Sequence, residues 1–236
     1  MVGKQENIET FFYERYIDTV NRGLVGKISN FLHKLLELNL GKIDNENSFR
    51  IVEMGAGHGQ HFNYVQKTYS EYLEVDLRPR SLQNFTKHRP GEPTQVSENR
   101  SFIQSDCSAL PFLKDDSVDR VIATCLLVHL IDPEKALIEW RRITKPGGLI
   151  SLWVALEPSI FLRFLQKITT KRKYEKFGFP YYSIHYREHI QHYPRMRMII
   201  NEVFVNDTIR RIRFPFPFLW WHLNLVEIYQ IRIAKR

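Results

Sequence analysis

Cysteine is almost missing from this chain. Cys107 and Cys125 are the only two in 236 residues, and no Cys or His pattern beside them has the spacing of a zinc site. A disulfide-stapled secreted scaffold is thereby excluded, and a reducing compartment is expected. An apolar run long enough for a bilayer is also lacking; the longest, Val121 to Ile131, is short and holds His129. The opening residues Met-Val-Gly-Lys-Gln-Glu-Asn carry no apolar stretch of the signal-peptide kind, so a cytoplasmic protein is expected. Internal repeats, low-complexity tracts and linker compositions are absent too, which suits one domain with a sizeable core.

Acidic surplus is missing where it would matter. Residues 1–150 hold 19 Lys+Arg against 20 Asp+Glu, whereas residues 151–236 hold 15 against 6, so the whole net charge of +8 sits in the C-terminal third. Such asymmetry points to an anionic partner for that third: an acidic substrate, a membrane surface or nucleic acid. A solvated basic face is the plainer alternative.

What is present alternates between two periods. Residues 8–38 show helical spacing, divided near Asn21, Gly23 and Gly26, and residues 41–48 form a polar loop. Strands are then predicted at 49–54, 72–75, 101–104, 119–124 and 149–154. Helices are predicted after the first strand through about Tyr69, over 80–95 into a Pro/Gly loop, and over 133–143. Lys145-Pro146-Gly147-Gly148 reads as a tight turn before the fifth strand. Strand alternating with helix indicates a parallel sheet covered on both faces. Beyond Val154 the pattern loosens: helices are expected over 158–173 and within 187–203, then two closing strands at 208–214 and 226–234. The expected organisation is one domain: N-terminal helices (1–48), a core (49–155), a helical cap between strands five and six (156–205) and closing strands (206–236).

Open α/β sheets bind ligands at the carboxyl ends of their strands, near the point where strand order reverses. Strand one delivers Glu53 and the loop Gly55-Ala56-Gly57-His58-Gly59, whose G-x-G-x-G spacing differs from a dinucleotide pyrophosphate turn. Strand two ends in Asp76, placed for the hydroxyls of a ribose. Strand three leads to Asp106 and Cys107, placed for an adenine edge. Strand four ends in Thr124 and Cys125, beneath the rest of such a ligand. Together they describe a nucleoside cofactor without a pyrophosphate.

Ser105-Asp106-Cys107-Ser108-Ala109-Leu110-Pro111-Phe112 and Asp116-Ser117-Val118-Asp119 resemble the stretch joining strands three and four in the type 11 class I methyltransferases. Leu127-Val128-His129-Leu130-Ile131-Asp132, Ala136-Leu137-Ile138-Glu139 and Lys145-Pro146-Gly147-Gly148 continue the likeness in order. It covers residues 50–155 and implies a Rossmann-like, seven-stranded, mostly parallel sheet with an antiparallel last strand. It also implies S-adenosylmethionine as cofactor, held by Glu53, Gly55, Gly57, Asp76, Asp106 and Cys107. His58 departs from the small or polar residue more usual between those glycines. An in-line methyl transfer demands mainly positioning and water exclusion, with a base needed only for a protonated nucleophile. His129 is the candidate base by placement, or else it packs at the pocket edge.

The acceptor side is less defined. His185, Arg187 and His189 are expected in a lid over the acceptor, or in a structural amphipathic segment. His185 and His189, four apart, could chelate zinc, but no Cys or carboxylate partner is evident in the sequence and no metal is expected. Tyr13 and Tyr16 either close over the cofactor or belong to the core. The stretch Arg210 to Trp221, Arg-Arg-Ile-Arg-Phe-Pro-Phe-Pro-Phe-Leu-Trp-Trp, suits a membrane interface, base stacking on RNA, or a strand and loop buried against the sheet. The expected activity is methyl transfer to oxygen or nitrogen of a small or lipid-linked anionic acceptor, a saccharide or phospholipid headgroup. An RNA acceptor and a catalytically silent binding protein are the alternatives. No DNA partner is expected.

Overall fold

A computed structural model describes residues 23–38, 49–65, 69–78, 94–176 and 178–235. In chain order its helices are α1 (Leu24–Leu38), α2 (Pro133–Ile143), α3 (Ile160–Ile168), α4 (Thr170–Lys176), α5 (Tyr181–Glu188) and α6 (Tyr193–Val203). The strands are β1 (Arg50–Met54), β2 (Glu71–Asp76), β3 (Thr94–Ser97), β4 (Arg100–Gln104), β5 (Val118–Thr124), β6 (Thr144–Ala155), β7 (Thr208–Phe214) and β8 (Val226–Arg232).

Ile51, Val52, Met54, Val121, Ile122, Ile150 and Leu152 lose essentially all exposure, because helices cover both faces of the central strands and leave no solvent side for polar alternation. The sheet order is β3-β4-β2-β1-β5-β6-β8-β7. β1 pairs parallel with β2 and β5, β2 with β4, and β5 with β6, while β8 runs antiparallel between β6 and β7. This is the expected seven-stranded sheet with one addition at its edge, β3, antiparallel to β4. Strand order reverses between β1 and β5, which opens the crevice at their carboxyl ends.

α2 shows how local signals set an element. The Asp132 side chain accepts from the Lys135 amide at 3.0 Å, Pro133 occupies the first turn, and Ala136, Leu137, Trp140 and Ile143 share the buried face. Burying Trp140 completely contributes roughly 1.5–3 kcal/mol.

Four differences from the sequence expectation stand out. After the glycine loop the chain makes a short 3-10 turn, His61–Tyr64, where a longer helix was predicted. Lys145–Gly148, expected as a turn before strand five, lie inside β6 as a break in register, with Val118 opposite Thr144 and Arg120 opposite Leu149. The predicted helix 158–173 breaks into α3 and α4 at Thr169, whose hydroxyl bonds back to the Leu165 carbonyl. Thr94 and Gln95, expected at the end of a helix running into its Pro/Gly loop, belong instead to the strand β3 (Thr94–Ser97). The first N-terminal helix and most of 80–95 lie outside the described residues. Among the described residues no helix is long and apolar enough to cross a membrane.

Candidate functional site

The crevice is a cavity of about 640 Å³ bounded by the carboxyl ends of β1, β2, β5 and β6 and covered by α1, α3, α4 and α5. Its floor begins with the glycine loop. Gly55, Gly57 and Gly59 all have positive φ, and a Cβ on Gly55 would stand 2.6 Å from Leu126 Cδ1. Around Gly57 nothing stands within 4 Å of that position, so the backbone faces open space. The Gly55 and Ala56 amides donate to the Val75 carbonyl at 2.8 and 3.1 Å, which pins the loop to β2.

Glu53, Gly55, Ala56, Gly57, Asp76, Asp106, Cys107 and Thr124 all line this cavity. Gly59 does not: its left-handed backbone closes the turn by donating to the Ala56 carbonyl at 2.7 Å, and His58 and Gln60 face the cavity instead. Asp76 accepts the Gly57 amide on Oδ2 at 2.8 Å and the Arg78 amide on Oδ1 at 2.9 Å. Each oxygen keeps a second lone pair, which suits a vicinal diol. Asp106 is exposed and accepts the Ser108 amide on Oδ1 at 2.8 Å. Glu53 shows only 1% of its surface; Tyr72 Oη donates to its Oε2 at 2.7 Å, and burial followed by the Glu53 charge pushes the Tyr72 phenol up. Burial pushes the Cys107 and Cys125 thiols up to about 12, helped by Asp106 and Asp76 for the first and by Glu157 for the second. Neither sulfur is a thiolate nucleophile near neutral pH. Cys125 itself sits at φ 56, a left-handed backbone rare for a side-chain-bearing residue. The open Gly57 backbone, the Asp76 diol acceptor and the exposed Asp106 carboxylate fit a nucleoside cofactor.

At the far end lie four groups: His129 after β5, Glu157 after β6, and His185 and His189 of α5 and its C-terminal cap. His129 Nδ1 donates to the Glu188 carbonyl at 2.8 Å, leaving Nε2 as the acceptor in the neutral ring. Desolvation, then the His189 ring, pushes His129 below its ordinary value although its side chain keeps 37% exposure, so the neutral ring predominates at pH 7. Glu157 follows β6 and receives His185 Nε2 at 3.2 Å and His189 Nδ1 at 2.7 Å. Burial alone would raise this carboxyl; the two imidazole hydrogen bonds outweigh it and hold it well below the usual range. Glu157 is the carboxylate neighbour of the two histidines that sequence spacing did not reveal. Their ligand-capable atoms all fall within 4.8 Å of one another.

Arg187 corrects an expectation. It is exposed and outside the cavity lining, because Tyr181, Ile184, His185 and Glu188 occupy the inward face of α5 and a residue one step before Glu188 points away. Glu188 replaces it and pairs with Arg78 at 3.1 Å, linking the cap to the loop after Asp76. Tyr13 and Tyr16 lie outside the described residues. In the basic-aromatic stretch, β7 is a paired edge strand, yet the following hairpin loop is not buried: Phe218 is 98% and Trp220 64% exposed. Arg213 is tied to buried Glu227 at 2.9 Å, whereas Arg210 and Arg211 face out.

Sequence reasoning missed the cluster beneath the glycine loop. Arg120 on β5 makes a bidentate pair with Glu37 on α1 at 2.8 and 3.1 Å, all of it buried. His61 Nε2 also donates to Glu37 at 3.0 Å, and His61 and His33 meet through their Nδ1 atoms at 2.9 Å. Burial would raise Glu37, but His61 and Arg120 hold it down at about 2. Desolvation, then His61, pushes His33 down to about 3. Arg120 Nε donates to Ser151, Ser151 to Gln230, and Gln230 to the Leu36 carbonyl, so α1 is fastened over the cavity by satisfied polar groups. The only signal was a buried-strand arginine just before the apolar run Val121 to Ala123.

Residues 52–152 match the model of a methyltransferase domain. A demethylmenaquinone methyltransferase of Paenarthrobacter aurescens is 36% identical over 132 residues, 52% of this chain and 49% of that protein. A thiol S-methyltransferase of Rattus norvegicus is 30% identical over 107 residues, 45% and 43% of the two chains. This chain thus spans about half or less of the curated relatives it matches. Among solved structures, the chain bound to the Trm112 methyltransferase activator of Haloferax volcanii aligns with TM-score 0.59 at 18% identity, covering 95% of this chain and 98% of that one. That likeness is one of fold.

Proposed function

Since residues 52–152 form a methyltransferase domain of the class I, S-adenosylmethionine-dependent type 11 kind, we propose that the chain methylates an oxygen or nitrogen of a small or lipid-linked anionic acceptor, a saccharide or phospholipid headgroup. The observation that carries this reading is the two-ended cavity. Glu53, Gly57, Asp76 and Asp106 make one end polar, and Leu162, Leu165, Tyr174, Tyr181 and Ile184 make the other largely apolar around the imidazoles. The bound cofactor supplies a methyl already activated by its sulfonium. The chain's own tasks are then to hold the two ligands in line, exclude water and receive a proton. Asp76 and Asp106 do the holding, α3 to α5 cover the acceptor end, and His129 Nε2 receives the acceptor's proton.

A lipid-linked acceptor also suits the rim. The β7–β8 hairpin lies at the carboxyl ends of the parallel strands, so exposed Phe216, Phe218, Leu219 and Trp220 stand beside the cavity together with Ile160 and Phe164 of α3. Ser159 joins the two, capping α3 while donating to the Asn224 carbonyl at 2.6 Å. Arg163, Lys167, Arg210 and Arg211 add exposed positive charge. Aromatic side chains flanked by basic ones suit peripheral contact with an anionic membrane.

Incubation with methyl-labelled donor and anionic vesicles, soluble sugar phosphates or RNA tests the acceptor. Label is expected in the lipid or sugar fraction. Label only in RNA would overturn the acceptor class. No label anywhere, with S-adenosylhomocysteine still bound, would mean a silent binding protein.

A further inference from the structure

We propose that Glu157, His185 and His189 form a three-ligand site for one divalent first-row cation of the zinc type, open toward the acceptor end of the cavity. Two imidazole nitrogens and one carboxylate oxygen are a ligand set such cations take, with remaining positions left for water or substrate. The three come from two elements far apart in sequence, yet their ligand atoms lie within 4.8 Å of one another. Ligand atoms around a tetrahedral zinc stand about 3.3 Å apart. His185 Nε2 stands 3.2 Å from Glu157 Oε2 and His189 Nδ1 2.7 Å from Glu157 Oε1, so the second pair would open by about 0.6 Å on binding, and the widest separation to be drawn in is at most 4.8 Å.

The groups behind the ligands have the arrangement a metal site requires. Tyr181 Oη stands 3.4 Å from His185 Nδ1, which leaves Nε2 facing Glu157. Gln166 Nε2 donates to Glu157 Oε1 at 3.1 Å and orients the carboxylate. The His189 amide donates to the His185 carbonyl at 2.8 Å, so the last helical turn holds both rings on one face. The Tyr193 amide donates to the Glu157 carbonyl at 2.8 Å and fixes that loop. Glu157 is 7% exposed, and among the described residues its ion-pair partners are two imidazoles with no Lys or Arg. All three residues line the cavity that also holds Asp76 and His129.

The site stands on its own geometry; only its use rests on the methyl-transfer reading. A cation there would bind the acceptor's oxygen and lower the pKa of its hydroxyl, whose proton passes to His129 Nε2, the ring 4.8 Å from that of His189 in the same cavity.

The test uses the tag-free full-length chain, stripped with chelator and titrated with Zn²⁺ and Co²⁺. Expected are one zinc per chain by elemental analysis after gel filtration, a Co²⁺ absorption band of low-symmetry coordination, and a raised Tm. Affinity should fall at least roughly tenfold in His185→Gln, His189→Gln and Glu157→Gln. Wild-type chain that retains no zinc, or three variants that bind it as tightly as wild type, would overturn the site. Should the variants misfold, the wild-type titration alone decides. S-adenosylhomocysteine binding by the stripped wild type is measured in parallel. Its loss would sink the methyltransferase reading without touching the metal result.

Discussion

Two carboxylate–imidazole clusters with similar contact distances put imidazoles on one cavity, and they are built for different work. Glu37 meets His61 at 3.0 Å and Glu157 meets His189 at 2.7 Å. At Glu37 a bidentate guanidinium completes the charge balance, and the side chains of Glu37, His61 and Arg120 are fully enclosed. At Glu157 no guanidinium of the described residues arrives, and the rings of His185 and His189 keep 12% and 19% exposure. A closed, balanced cluster holds an element in place, whereas an open one whose imidazoles reach the cavity is available to a ligand. Contact distance does not separate structure from function here; counter-charge and access do.

Breaking the closed cluster should produce the largest effect. Glu37→Gln leaves Arg120 buried without its ionic partner and is expected to cost about 3–5 kcal/mol of stability in urea unfolding. Glu157→Gln, at the open cluster, is expected to cost distinctly less. Equal costs would erase the contrast.

Acid should dismantle the closed cluster in two stages. Glu37 falls from 4.5 to about 2 on folding, and His33 from 6.5 to about 3. Both folded values lie below the ordinary ones, so both groups favour the folded state above those ordinary values. That contribution, on the order of 3 kcal/mol for Glu37, is lost as pH falls from 6.5 toward 3 for His33 and from 4.5 toward 2 for Glu37. Tm measured between pH 7 and 3 should decline from about 6.5 downward, and His33→Asn should shallow the upper part of that decline, leaving the share of His61 and His129, which are also pushed down on folding. A flat Tm down to pH 4.5 in wild type would contradict the buried neutral imidazole.

Between the clusters, Asp76→Ala removes a charge-assisted contact of about 1.5–3 kcal/mol and should weaken S-adenosylhomocysteine binding roughly tenfold or more in calorimetry. Unchanged affinity would displace the cofactor end. The smallest change in stability belongs to the rim: Phe218→Ser, at a residue 98% exposed, should stay within about 0.5 kcal/mol of wild type. The same change, and Arg210→Glu with Arg211→Glu, should reduce sedimentation with anionic vesicles at low salt. Vesicle binding that survives all of them would return the hairpin to a purely structural role. Arg213 is a poor probe for this, because its bond to Glu227 ties it to the fold.

Much of the core was legible because its signals are local. The strands around Val52, Leu73, Ile103 and Val121 announce themselves as short apolar runs. The glycine spacing after Met54 demands left-handed backbone, and Asp132-Pro133 marks where α2 begins. Asp76 and Asp106 followed from counting to strand ends. Partners were illegible where they lie far apart in sequence: 83 positions separate Glu37 from Arg120, and 32 separate Glu157 from His189. Arg187 and Glu188 are adjacent, and only the facing of α5 tells which reaches the cavity. β3 was hidden because an edge strand needs little apolar pattern to pair on one side.

The sequence by itself therefore determined the alternation of strand and helix, the glycine turn and the carboxylates at the strand ends, since backbone sterics and period-two or period-3.6 burial are written residue by residue. Only the tertiary structure decided which acids meet which bases. Those pairings arise when β5 passes beneath α1 and when the cap folds Glu157 against α5, and the strength of a charge there is set by burial and neighbours that no local pattern encodes.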